Sequence, residues 1–73
     1  MDIRKISIGA DYKSGAMHYI VGQPILGNTH IIHLIQEHEE GYKIWIQKED
    51  EIYLWKEFRK TLPISLEFNM GIS

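Results

Sequence analysis

A chain of 73 residues without a single cysteine has to hold its fold by packing, hydrogen bonding or association. The disulfide staples that very small domains commonly rely on are closed to it. At this length folding buries only about 60% of the surface that the unfolded chain exposes, so the core by itself is marginal. Thiolate metal sites fall away together with the disulfides. The joining of copies is the favoured supplement, and we expect one domain over residues 1–73 that self-associates.

The apolar fraction of 44%, with two Trp, four Tyr and two Phe, is that of a globular chain rather than a disordered one. Charged residues make up 25% and the net charge is −2. That balance offers no long-range attraction to duplex nucleic acid, whose binding is driven by Lys and Arg displacing counterions. A small anion is different, because two or three local cations suffice for it. Met1-Asp2-Ile3-Arg4-Lys5 lacks the apolar run of a signal peptide, and no stretch approaches the roughly 20 apolar residues of a membrane span. The expectation is a cytoplasmic protein that does not engage a membrane.

Alternation of apolar and polar residues is the dominant local pattern, and it predicts strands. Ile6 and Ile8 alternate with Lys5, Ser7 and Gly9. The turn formers Asp11-Tyr12-Lys13-Ser14-Gly15 then lead to Met17-His18-Tyr19-Ile20-Val21, with Met17, Tyr19 and Val21 on one face. Gly22-Gln23-Pro24 and Gly27-Asn28 read as turns. The β-branched run Thr29 to Ile35 is a third strand, apolar on both faces and therefore central. A hairpin at His38-Glu39-Glu40-Gly41 is expected to use positive φ at Gly41, and Tyr42 to Ile46 returns as a fourth strand. The stretch from Asp50 to Leu62 carries both periods. Ile52, Trp55, Arg59 and Leu62 fit a helix, whereas Ile52, Leu54, Lys56 and Phe58 alternate as in a strand, which the reading favours. Pro63 ends either one, and Ile64 to Met70 alternates as the last strand. The fold class is mainly β: an antiparallel sheet of five or six strands, curled into a small barrel or sandwich, with one short helix near residues 52–60 left open.

Familiar catalytic and metal patterns are weak. His30 and His33 lie on a strand at odd spacing and point to opposite sides, so they cannot share an ion. His38 sits among Glu37, Glu39 and Glu40, where a solvated turn is the simpler reading. Gly22 to Thr29 has the glycine spacing of a phosphate loop, but Asn28 replaces the lysine and Pro24 removes an amide. No serine sits in a glycine-flanked elbow. These features argue against an enzyme and against a metal or other cofactor. What remains is aromatic and cationic residues near strand ends: Tyr12, Lys13, His18 and Tyr19 early, then Trp45, Tyr53, Trp55, Lys56 and Arg59. Rings beside cations suit a nucleotide, the ring stacking on the base and the cation meeting the phosphate. Core or cross-strand packing is the competing use of any such ring. Trp45, between Lys43 and Gln47 and opposite in facing to Ile44 and Ile46, suggests an interface or a ligand contact.

Lys5-Ile6-Ser7-Ile8-Gly9, the run Tyr12 to Gln23, Trp55-Lys56 and Glu67-Phe68-Asn69 together resemble small accessory proteins of bacteriophages. Among these the chain looks most like the compact anti-CBASS sponge proteins, oligomers that sequester cyclic dinucleotide alarm signals. The resemblance implies a homo-oligomer in the host cytoplasm, up to a tetramer, that holds a molecule such as 3′3′-cGAMP without cleaving it and so blunts anti-phage defence. The candidate ligand-binding residues are Tyr12, Lys13, His18, Tyr19, Trp55 and Lys56, with rings on bases and the two lysines on phosphates. The alternative is a protein-protein module, such as an inhibitor of a host enzyme, that adds its edge strand to a partner sheet.

Overall fold

The structure is a computed structural model, and it describes residues 2–9 and 17–68. Seven strands follow one another among the described residues: β1 (Ile3–Ile8), β2 (Met17–Ile20), β3 (Pro24–Ile25), β4 (His30–His38), β5 (Gly41–Lys48), β6 (Glu51–Arg59) and β7 (Ile64–Phe68). They make one antiparallel sheet in the order β2-β1-β4-β5-β6, with β3 paired to β4 and β7 paired to β1. The sheet is not closed into a barrel. It nevertheless curls, because Tyr19 in β2 packs against Trp55 and Phe58 in β6, at the other end of the strand order.

The count of seven exceeds the expected five or six because of β3, whose two residues lie inside a segment that reads as turn. Pro24 and Ile25 pair with Ile31 and His30, and proline fits there because a short strand at the sheet margin need not donate to a ladder. The segment from Glu51 to Arg59 is strand, and no helix forms at residues 52–60. Its hairpin with β5 turns through Glu49-Asp50, Glu49 taking φ of 55°, and the ladder runs from Lys48↔Glu51 to Gly41↔Arg59. Pairing along a whole hairpin outweighs a helical period that a few residues mimic.

The inner face carries the core: Ile3, Ile6, Tyr19, Ile32, Ile35, Tyr42, Ile44 and Ile46 are buried. Ile3 and Ile6, and likewise Ile32 and Ile35, are three residues apart and yet both inward, which a regular strand forbids. A bulge resolves each case. Arg4 is the extra residue where Ile3↔Phe68 steps to Lys5↔Glu67, and His33 is the extra residue where Ile32↔Ile46 steps to Leu34↔Trp45. β5 runs without an extra residue of its own, so Tyr42, Ile44 and Ile46 point inward in strict alternation.

Gly41 has a different role from the one its sequence suggests. It does not take a positive φ, unlike Gly9, Gly22 and Gly27. A Cβ there would lie 1.9 Å from the Phe58 carbonyl oxygen, so glycine is required because β6 crosses β5 too closely for any side chain. Among the described residues no helix is long and apolar enough to cross a membrane.

Candidate functional site

The third bulge builds the site. On β6 the ladder steps from Trp45↔Leu54 to Ile44↔Lys56, leaving Trp55 as the extra residue. Ile52 and Leu54 before it face outward with Gln47 and Trp45, whereas Phe58 after it faces inward with Tyr42. Ile52, Leu54, Lys56 and Phe58 therefore do not share one face, although their alternation in the sequence says they should. Burial follows the same switch: residues 51–54 are exposed, while Trp55, Lys56 and Phe58 are half-buried. Bulges re-aim side chains in this way at sheet edges, and here adjacent residues, a ring and an ammonium, are turned to the same side.

The Lys56 Nζ lies 4.8 Å from the centroid of the Trp55 ring, within the range of a cation-π attraction. Among the described residues the ion pairs are Arg4–Glu67 and Lys60–Glu37, so no carboxylate neutralises Lys56. Behind this pair stands Tyr19, its ring edge-on to Trp55 at 5.6 Å and 85°, and tilted against Phe58 at 5.8 Å. The Tyr19 hydroxyl donates to Met17 Sδ at 3.6 Å, and burial pushes its ionisation above the usual tyrosine value. Tyr19 is thus a core ring that braces Trp55 rather than a free stacking surface.

Of the candidate residues, Trp55, Lys56 and Tyr19 are brought together. His18 is not: it points to the opposite face of β2 from Tyr19, is exposed, and shares a hydrogen bond of 2.8 Å between its Nδ1 and Ser7 Oγ. Tyr12 and Lys13 lie outside the described residues. Trp45 faces outward as its neighbours suggest, half-buried between Leu34 and Leu54 on the flanking strands, with its indole N–H donating to Gln36 Oε1 at 3.2 Å.

Phe58 and Arg59 were not among the candidates as a pair, and with His38, Glu40, Gly41 and Glu57 they line an open hollow of about 250 Å³ at the end of the β4-β5 hairpin. The His38 Nε2 is buried there without a hydrogen-bond partner among the described residues. Phe58 could have been found by adding a bulge to the alternation of β6, but nothing in the residue types says where a bulge falls. Tyr53, at the other end of the strand, donates to Glu51 Oε1 at 2.9 Å. That bond, with burial and the charges of Glu51 and Glu49 behind it, raises its ionisation. Its ring lies 6.2 Å from that of His30. No group of three or more His, Cys, Asp or Glu side chains among the described residues is placed to hold a metal ion.

Chemically, the arrangement offers one indole and one ammonium, without an ion-pair partner among the described residues, on a braced, half-exposed surface. That combination attracts a flat, electron-rich ring carrying negative charge. Comparison with protein-family models, with curated proteins and with solved structures finds no match for this chain.

Proposed function

We propose that this protein binds and withholds a cyclic dinucleotide, without chemical turnover, and works as a homo-oligomer. The observation that carries the reading is the Trp55–Lys56 pair, an indole with an ammonium 4.8 Å away and no carboxylate on it among the described residues. A base stacked on such a ring contributes about 1–3 kcal/mol, and a lysine on the phosphate adds a charge-assisted contact. One such pair is too little to enclose a ligand with two bases and two phosphates, so more than one copy contributes. In the setting implied by the resemblance to phage sponges, the ligand is an alarm signal such as 3′3′-cGAMP, and holding it inhibits host defence.

Calorimetric titration with a panel of cyclic dinucleotides tests this. Heat of binding is expected at ligand concentrations on the order of tens of micromolar, with intact ligand recovered after heat denaturation. Trp55→Ala is expected to weaken the interaction by about tenfold or more. Silence across the panel removes the reading, and cleaved ligand replaces it with an enzyme.

A second reading is favoured by one specific feature: β6 pairs only with β5 among the described residues. An exposed edge of this length is a template for another strand. A monomer in solution that ignores nucleotides but captures a β-rich partner would support an interaction module in place of a sponge.

A further inference from the structure

We infer that the free edge of β6 pairs antiparallel with β6 of a second copy, about a twofold axis passing between Trp55 and Lys56, and that this join completes the ligand site. Residues opposite one another in an antiparallel ladder lie on the same face of the sheet. In a regular strand paired with its own copy, partners must therefore be an even number of places apart. The bulge at Trp55 shifts the second half of β6 by one place, so here odd separations match. Ile52 falls opposite the partner's Arg59 and Leu54 opposite the partner's Glu57, all on the outer face. Tyr53 falls opposite the partner's Phe58 and Trp55 opposite the partner's Lys56, all on the inner face. Every residue from Ile52 to Arg59 is matched in facing by this one register, and none is matched throughout by an even one.

The second copy is the occupant because the match is with the strand's own sequence. Residues 51–54 of β6 are exposed, with the apolar Ile52, Tyr53 and Leu54 at 48%, 42% and 41%, and no proline or lysine guards that half of the edge. The join also puts a second ammonium beside each Trp55 ring. Each copy uses its single β6 edge, so the assembly closes as a twofold dimer at this surface.

The consequence for the ligand rests on the binding reading above. Two indoles and two ammoniums gather around one axis on the inner face. A cyclic dinucleotide carries two bases and two phosphates in a ring, so one copy of the site chemistry meets each half of the ligand.

Leu54→Cys protein mixed with Glu57→Cys protein tests the register, since the chain has no other cysteine. On mild oxidation the mixed disulfide is expected to exceed the two self-linked products combined, and the unaltered protein to show twice the single-chain mass by light scattering. A single-chain mass, or mixed product no more abundant than random pairing gives, overturns the join. If cysteine substitution unfolds the chain, sedimentation of the unaltered protein still decides. A dimer with the mixed disulfide that gives no heat with 3′3′-cGAMP upholds the join and removes the ligand reading. Heat from a monomer does the reverse.

Discussion

Strands β5 and β6 are neighbours built from nearly the same residues. Gly41–Lys48 reads GYKIWIQK and Glu51–Arg59 reads EIYLWKEFR, each with a tyrosine, a tryptophan, a lysine and isoleucine. Their fates differ. β5 has a strand on either side and its Ile44 is fully buried, whereas β6 has one neighbour among the described residues and its Ile52 is 48% exposed. Trp45 looks outward and Trp55, set by the bulge, looks inward. Position in the sheet, not composition, decides which strand supplies the core and which is left to meet something else.

The isoleucines give the sharpest contrast. Ile44→Ala should cost about 2–5 kcal/mol in denaturant unfolding, as for other fully buried large-to-small changes, and Ile52→Ala less than about 1 kcal/mol in the single chain. Equal losses would break the comparison, and a loss at Ile52 that grows with protein concentration would show the β6 edge buried by association. Next in size is Gly41→Ala. The added methyl meets backbone rather than a side chain that could swing away, so overpacking should destabilise by about 1–3 kcal/mol, read from the midpoint of thermal or denaturant unfolding.

A third test concerns Tyr53 on the exposed strand. Its hydrogen bond to Glu51 raises its ionisation above that of a free tyrosine, so ultraviolet titration should show it becoming phenolate later than 10, and Glu51→Gln should bring it back down. A raised value means the folded state favours the neutral phenol. That contribution is whole below pH 10 and fades as pH climbs through the folded value. No change on Glu51→Gln would remove the bond from the account of β6. The smallest effect is expected at Trp45→Phe, where the exposed hydrogen bond to Gln36 is worth about 0.5 kcal/mol or less. Unfolding should barely move, and ligand titration should be unchanged, in contrast to Trp55→Ala.

Much of the sheet is legible in the sequence because the alternation over Ile6–Ile8, Met17–Val21, Tyr42–Ile46 and Ile64–Phe68 is undisturbed there. β3 is not legible, since two residues beside Pro24 carry no period. The helical spacing of Ile52, Trp55 and Arg59 competes with alternation because β6 changes facing in mid-strand. The same physics hides half the site. Trp55 and Lys56 are adjacent in the sequence and stay together in the fold, but the use of Tyr19 as a brace and the arrival of Phe58 depend on strands that meet only when the sheet curls. His18 and Tyr19 are neighbours in the chain and therefore part company on a strand, the rule that their shared candidacy overlooked.

Arg4, His33 and Trp55 each occupy a place where one strand is a residue longer than its partner. At such a place the number of residues carries the information, and their chemistry is secondary. Exchanging His33 for another side chain leaves Ile32 and Ile35 facing the same way. Deleting it would make the ladder regular and keep the pairs beyond it, Leu34 still opposite Trp45 and facing out, Ile35 still opposite Ile44 and facing in. A bulge is thus a place where a strand can lose one residue, or exchange it, without turning its buried side chains to water.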